Sequence, residues 1–331
     1  MKRLGSLALV LVLALSVVTL AGAQKVVRIG ISLDNLDDPF WQGIKVGFDK
    51  AQKELGNKVN VTLQVAQTDA NVQNKQIQDM VTAGVDAIVC VYVDKDAIMQ
   101  SVKLCNEKGI PFVYCDRPID ATADAKADWG ITTDHDALTR RGWDWMVQFA
   151  RDNHLKLKVC QLMGSLTEKN TLLFTGGYED AVKANPNVLQ KVVDVPTEWN
   201  LEKALAGTTN ALQAYPEINC IYLNSDFLLA PTIQALKGAG KWKKIGEPGH
   251  IIVVPYSGNA VSIKAMQDGY IEVCFGKHVI MEGHDSVIAA YNLAIGKKKG
   301  YDHPVADPGF IITQKNLNQT KLETYGYYFL K

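Results

Sequence analysis

The sequence predicts an α/β fold with parallel sheets. Short runs rich in β-branched residues alternate along the chain with longer segments whose apolar residues repeat with helical period. Little except turns separates the two kinds of segment, which is typical of parallel strands joined by crossover helices. The length of 331 residues is enough for one large domain or for two of ordinary size.

The first residues have the pattern of a secretory signal peptide. Lys2 and Arg3 precede an uncharged apolar run over residues 7–20, and a small-residue sequence ends at Ala23. We expect cleavage after Ala23. A membrane anchor is the less favoured alternative, because the run of about 14 residues is shorter than the roughly 20 that cross a bilayer. We therefore expect an exported protein with no insertion into the membrane.

The charge balance argues against nucleic acid and anionic lipid as partners. Removal of residues 1–23 would leave 33 basic residues against 35 acidic ones, so no strong field remains. No cysteine follows the expected cleavage point to carry a lipid. A soluble exported protein without a lipid is retained only between two membranes, which favours the periplasm.

The six cysteines fit buried apolar positions better than disulfides. None forms a CxxC motif, and five of the six lie in strand-like apolar runs. If a disulfide forms, Cys90 and Cys115 are the candidate pair, because they lie on strands expected to be neighbours.

Nine strands are predicted from apolar runs bounded by turn residues. They cover 26–33, 60–66, 87–93, 111–115, 157–163, 190–194, 219–223, 250–256 and 271–275, and helices fill most of the gaps. After the first strand, Asp38 can cap a helix that begins at Pro39, runs to Leu55 and ends at Gly56. The amino terminus of that helix lies at the strand edge where open α/β sheets bind ligands.

Motifs for catalysis, cofactors and metals are absent from the sequence. It contains no GxSxG, GxxxxGK[ST], GxGxxG or HExxH. His278 and His284 are six residues apart, which does not place them on one helical face as zinc ligands. Asp37 and Asp38 are adjacent, a poor guide to the set separation that a glycosidase pair needs. We expect no enzyme activity, no cofactor and no metal, and an exported carbohydrate-acting enzyme is a less favoured alternative.

Candidate binding residues lie where strands end. Asp38 precedes the adjacent aromatics Phe40 and Trp41, either of which could also be an ordinary core residue. Asp116 and Arg117 follow the strand over 111–115, although such a pair alone is usually a surface ion pair. Charged planar side chains and aromatic faces suit the hydroxyls and the C–H faces of a sugar.

Five sequence blocks follow one another in order along the chain. They are DDPFW with the helix ending ELG, AGVDAIVCVYVDKDAI, IPFVYCDRPI, the aspartate in ITTDHD, and LNSDFLLAPTIQALKGAGK. In these blocks, from about Val27 to Leu293, the chain resembles the type I periplasmic sugar-binding proteins, which include ribose, xylose and galactose receptors. It implies two similar doubly wound parallel-sheet domains joined by a three-segment hinge, with the ligand between them.

The resemblance also implies the division of the chain. After the signal peptide over 1–23, the N-terminal lobe would comprise 24–132 plus 277–306, and the C-terminal lobe 133–276 plus 307–331. Crossovers would lie near 132–134, 275–277 and 305–308. Closure of the two lobes around the ligand would create the shape that a transporter recognises.

The family's binding positions map onto a set of residues in this chain. The set is Asp38, Phe40, Trp41, Asp116, Arg117, Asp134, Glu168, Asn170, Trp199, Ser225, Asp226, Ser257 and Lys277. Ser225, Ser257 and Lys277 replace the family's Asn, Asp and Gln, and Phe174 lies near the place of a missing arginine. These departures leave pentose, hexose, furanose, alditol and cyclitol open, and Lys277 with Arg117 permits a mildly acidic sugar.

The function implied is that of the periplasmic substrate-binding component of an ABC transporter for a monosaccharide or related polyol. Its partner would be a membrane permease, and we expect a monomer. The alternative is a sensory receptor of the same fold that signals to a chemoreceptor or sensor kinase. A repressor of this fold would need an amino-terminal DNA-binding helix pair, where this chain has the expected signal peptide.

Overall fold

The computed structural model describes residues 25–330, which form two parallel sheets and one small mixed sheet between helices. The strands are β1 (Val27–Leu33), β2 (Val59–Val65), β3 (Ala87–Cys90), β4 (Phe112–Cys115), β5 (Trp129–Thr133), β6 (Leu157–Met163), β7 (Leu189–Pro196), β8 (Cys220–Leu223), β9 (Ile252–Val254), β10 (Tyr256–Ser257), β11 (Val273–Gly276), β12 (Val305–Asp307) and β13 (Phe310–Thr313). The helices are α1 (Pro39–Leu55), α2 (Ala70–Thr82), α3 (Met99–Lys108), α4 (His135–Asp152), α5 (Lys169–Ala184), α6 (Leu201–Ala214), α7 (Leu229–Gly238), α8 (Ala260–Gln267), α9 (Val279–Ala294), α10 (Leu317–Thr320) and α11 (Tyr325–Phe329).

The predicted signal peptide lies outside the described residues. Between residues 25 and 330, no helix combines the length and the apolar character that crossing a membrane requires.

Both large sheets have a point where the strand order reverses. The first sheet has the order β12-β5-β4-β3-β1-β2 and the second the order β7-β6-β8-β9, and all pairs in both are parallel. The reversals lie at β1/β3 and at β6/β8, and each opens a crevice at the carboxyl ends of the strands. The fold therefore provides two ligand-binding edges. The predicted α/β class with parallel sheets is confirmed.

The chain passes between the two sheets three times. It leaves the first sheet after Thr133 and enters α4, and it returns after Gly276 through α9, which packs on the first sheet. It leaves again after Asp307, because β12 pairs with β5 while β13 pairs antiparallel with β11. These passages lie at the predicted crossovers near 132–134, 275–277 and 305–308, and the division into two lobes stays a prediction.

The predicted strands are all present, with differences at their ends. The run predicted over 87–93 stops at Cys90, and the run over 250–256 divides at Pro255 into β9 and β10. Three strands were not predicted, namely β5, β12 and β13. They are only three to five residues long, which makes their sequence signal weak. Strand β5, with the sequence WGITT, is extended because it pairs with β4 on one side and β12 on the other. The six cysteines are buried, free thiols.

Helix α1 has the bounds predicted from sequence. The Asp38 side chain accepts a hydrogen bond from the backbone N–H of Phe40 at 2.8 Å, and Pro39 is the first helical residue. Gly56 ends the helix with a φ of +58°. Helix α1 crosses α9 closely: a Cβ on Gly47 would lie 2.2 Å from the carbonyl oxygen of Ile280.

Replacing Gly47 with alanine is expected to lower the free energy of unfolding by about 1–3 kcal/mol, because the methyl group would force the two helices apart. Gly176→Ala is the matched control, since Gly176 is helical in α5 and a Cβ there meets nothing within 4 Å. The control should leave stability unchanged or slightly higher. Urea denaturation followed by circular dichroism measures both. Equal stability of the two variants would contradict the close crossing.

Candidate functional site

A cavity of about 570 Å³ lies at the carboxyl ends of both large sheets. Its walls come from the loops after β1, β2, β3 and β4 on one side, and from the loops after β6, β7 and β8 and the residues at the ends of β10 and β11 on the other. This volume is in the range of small-molecule sites, about 300–1,000 Å³.

Arg117 joins the two sides of the cavity. Its Nη1 lies 2.9 Å from Asp34 Oδ2, at the end of β1, and its Nη2 lies 3.0 Å from Glu168 Oε1, at the start of α5. All three side chains are buried, and Nη1 also donates to the carbonyl oxygen of Tyr92. Burial raises the pKa of Glu168 to about 7, although Arg117 opposes this. A buried guanidinium is tolerated here because carboxylates and a carbonyl surround it.

Asp116 makes a second link between the two sides. Its Oδ2 accepts a hydrogen bond from Asn170 Nδ2 at 3.0 Å, and its Oδ1 accepts one from Lys277 Nζ. Lys277 Nζ also lies 3.8 Å from Glu282 Oε2, behind the cavity wall. Burial raises the pKa of Glu282, although the neighbouring Lys277 ammonium opposes this. The Lys277 ammonium is thus held by the Asp116 carboxylate, with the Glu282 side chain close behind it.

The two adjacent aromatics lie beneath these cations. The Arg117 guanidinium is 4.7 Å from the ring centroid of Trp41, and Lys277 Nζ is 4.4 Å from that of Phe40. Both rings are only 5% exposed, and both residues line the cavity. They are therefore core residues and cavity residues at once.

Backbone strain is concentrated at three of the candidate residues. Asp116, Trp199 and Ser257 have φ values of +66°, +55° and +105°, which non-glycine residues seldom adopt. Such outliers cluster at functional sites. Gly164, after β6, leaves room for the Trp199 side chain, because a Cβ on Gly164 would lie 1.9 Å from the indole ring.

The structure brings eleven of the thirteen candidate residues together at the cavity. They are Asp38, Phe40, Trp41, Asp116, Arg117, Glu168, Asn170, Trp199, Ser225, Ser257 and Lys277. Their roles in binding stay a prediction at this point.

Asp134 and Asp226 are placed elsewhere, and their assignment to the cavity wall is corrected. The Asp134 side chain caps α4 by accepting from the N–H of Ala137 at 3.0 Å. Asp226 is buried and accepts from the N–H of Gly258, from Ser262 Oγ and from Tyr325 OH at 2.8, 3.0 and 3.2 Å. Both aspartates hold backbone and neighbouring side chains in place instead of facing the cavity.

Sequence reasoning missed Asp34 and Asn224. Each is the first residue after a strand next to a reversal point, β1 and β8 respectively, and each lines the cavity. Asn224 Oδ1 accepts from the N–H of Gly164 at 3.3 Å and so supports the loop after β6, against which the Trp199 ring packs. Their position directly after a strand at a switch point is the sequence signal that could have identified both residues.

The cavity presents groups of both hydrogen-bonding kinds. Asp34 Oδ1 and Asn170 Oδ1 are buried acceptors that receive no hydrogen bond from residues 25–330. Ser225 and Ser257 contribute hydroxyls. Within the same range, no group of three or more His, Cys, Asp or Glu is placed to hold a metal ion.

Comparison with known proteins matches this architecture. Residues 29–298 match the family described as the periplasmic binding protein domain. The ribose import binding protein of Bacillus subtilis is 25% identical over 279 residues, which cover 84% of this chain and 85% of that protein. The ribose import binding protein of Haemophilus influenzae is 26% identical over 306 residues, covering 92% and 98%. A solved ABC transporter solute binding protein from Bacillus halodurans, with bound myo-inositol, has a TM-score of 0.81 at 20% identity and covers 91% of this chain and 99% of its own. Since the family match spans most of its length, this chain is a member of the periplasmic binding protein domain family.

Proposed function

We propose that this chain is the periplasmic substrate-binding component of an ABC transporter, and that it holds a monosaccharide or related polyol in the cavity. The observation that carries the proposal is the buried pair Asp116 and Arg117 at the end of β4. Both side chains face a cavity at a switch-point edge and both reach partners from the other sheet.

The chemistry of the cavity suits a polyol. A hydroxyl group both donates and accepts, and charge-assisted bonds to carboxylates and guanidinium are short and directional. The rings of Phe40, Trp41 and Trp199 supply apolar surface for the C–H faces of a sugar ring. Relatives named as ribose import binding proteins, and a structural neighbour solved with myo-inositol, support the same ligand class.

Transport requires a closed form that differs from the open one. Arg117 to Glu168 and Asn170 to Asp116 are contacts between the two sides of the cavity. Opening would break them, and a ligand that bonds to the same four side chains would favour closure. We infer that the chain is exported by a cleaved signal peptide, acts as a monomer and catalyses no reaction. Sensing through a chemoreceptor is the second candidate, and loss of uptake on deletion of the chain would favour transport.

Isothermal titration calorimetry of the mature protein against D-ribose, D-xylose, D-allose and myo-inositol tests the proposal. The protein is first unfolded and refolded to remove any ligand acquired in the cell. We expect selective binding of at least one compound in the micromolar range or tighter. Asp116→Asn should weaken that binding about 100-fold, because a ligand hydroxyl and Lys277 would both lose a charged acceptor.

Asp124→Asn is the matched control. Asp124 pairs with Lys103 on the surface and does not line the cavity, so its variant should bind as the wild type does. Lack of binding by every compound, from protein shown to be refolded, would sink the proposal.

A further inference from the structure

We propose that the preferred ligand is a polyol bearing a protonated amine, such as an amino sugar or an aminocyclitol, and that Asp38 pairs with its ammonium group. This inference rests on the proposed function and narrows its ligand class.

The cavity wall carries many more carboxylates than cations. Seven of its residues are acidic: Asp34, Asp37, Asp38, Asp94, Asp116, Glu168 and Glu198. Two are basic, Arg117 and Lys277. Even with Asp38 and Glu168 partly protonated near pH 7, the other five acidic residues outnumber the two basic ones. The remaining negative charge favours a cationic ligand over a neutral one and opposes an anionic one.

Both basic residues already have ion-pair partners. Arg117 is paired with Asp34 and Glu168, and Lys277 with Asp116 and Glu282. A carboxylate ligand would have to displace one of these buried pairs and would leave a protein carboxylate unpaired, which is costly. The mildly acidic sugar that the sequence permits is therefore disfavoured by this arrangement.

Asp38 is the best placed of the acidic groups without a partner. In the described part of the chain it forms no ion pair, and only its Oδ1 is used, to cap α1. Its half-buried carboxyl has a pKa raised to about 7, first by burial and then by the neighbouring carboxylates of Asp226 and Asp34, against the effect of the Phe40 N–H and Arg117. A cation beside Asp38 would relieve both the burial and the repulsion.

Buried acceptors provide an independent sign that the ligand donates hydrogen bonds here. Asp34 Oδ1 and Asn170 Oδ1 have no donor among residues 25–330, although their side chains are only 3% and 4% exposed and both residues line the cavity. Leaving such acceptors unpaired is unfavourable. An ammonium group has three donors and no acceptor, so it can satisfy such oxygens without an acceptor that needs a donor of its own, which a hydroxyl cannot do.

Calorimetry with matched ligands tests the inference. The sets are D-glucosamine, N-acetyl-D-glucosamine, D-glucose and D-glucuronate, the corresponding galactose compounds, and an amino-deoxyinositol beside myo-inositol. In at least one set, we expect the free amine to bind at least about tenfold more tightly than its neutral parent. N-acetylation should remove that advantage, since it removes the charge. The acid should bind more weakly than the parent.

Asp38→Asn separates charge from structure. Asparagine caps helices as well as aspartate does, so the variant keeps the start of α1 and loses only the charge. We expect the amine to bind this variant no better than its neutral parent. Asp69→Asn is the control, because Asp69 caps α2 in the same way and does not line the cavity.

Each outcome has one meaning. Neutral parents that bind as tightly as their amines in every set would overturn the inference and leave the proposed function standing. Retention of the amine preference in Asp38→Asn would overturn the role of Asp38. Failure of every compound in every set would overturn the inference, and the proposed function would then be decided by the titrations with D-ribose, D-xylose and D-allose.

Discussion

Arg117→Met is expected to lower the free energy of unfolding by about 3–5 kcal/mol and to abolish ligand binding. Methionine keeps much of the side-chain length but leaves Asp34 and Glu168 buried without their cation, which is the costly way to break a buried ion pair. It also removes the cation above Trp41 and the donor to the Tyr92 carbonyl oxygen. Urea denaturation at pH 7.5 measures the stability, and calorimetry with the identified ligand measures the binding.

Arg140→Met is the matched control for this prediction. Arg140 also forms two ion pairs, with Asp136 at 2.9 Å and Asp180 at 2.6 Å, but its side chain is 46% exposed. Exposed pairs are worth less than about 1 kcal/mol, so this variant should stay close to the wild type. A triple variant that adds Asp34→Asn and Glu168→Gln to Arg117→Met should recover part of the lost stability. Equal decreases in the free energy of unfolding for Arg117→Met and Arg140→Met would show that burial does not determine how much the ion pairs of Arg117 contribute.

Local sequence signals predicted the parts of the fold that local interactions determine. Helix α1 was predicted with its true bounds because its cap, its first residue and its stop all lie within the segment from Asp38 to Gly56. Strand β5 was missed because its formation depends on neighbours far along the chain, with β12 pairing to it from more than 170 residues away. Strand-end position predicted five of the cavity residues, which are Asp38, Phe40, Trp41, Asp116 and Arg117. The other six candidates at the cavity came from the resemblance to the sugar-binding family.

Side-chain pairing was beyond the sequence. Lys277 is 161 residues from Asp116, so nothing local shows that its ammonium is already used. Asp226 follows a strand as Ser225 does, yet it points to the backbone at Gly258 instead of the cavity. The direction of each side chain depends on the loop conformation that long-range contacts impose. Which charged side chains of the cavity are still free to pair with a ligand therefore follows from the structure and not from the sequence.

The stability of the protein should fall as the pH rises from about 6.5 to about 9, through the deprotonation of His278. His278 lies at the passage between β11 and α9. Its Nδ1 is 2.9 Å from Asp307 Oδ2 and its Nε2 is 3.0 Å from Glu323 Oε2. The bond to Asp307, aided by the one to Glu323, raises the pKa of His278 to about 9 against the effect of partial burial.

A folded-state pKa above the unfolded value means that the folded protein binds this proton more tightly. The resulting stabilisation is complete below pH 6.5 and disappears as the pH approaches 9. The shift corresponds to about 3 kcal/mol, and the half-exposed Glu323 reduces this to about 2 kcal/mol through solvent screening. Urea denaturation at pH 6, 7.5 and 9 measures the free energy of unfolding. Between pH 6 and pH 9 we expect it to fall by about 2 kcal/mol less in His278→Asn than in the wild type. His303→Asn, at an exposed site with no ion pair to the described residues, should decline as the wild type does. An unchanged pH profile in His278→Asn would show that the bridge from α9 to Asp307 and Glu323 adds nothing to the stability of this passage.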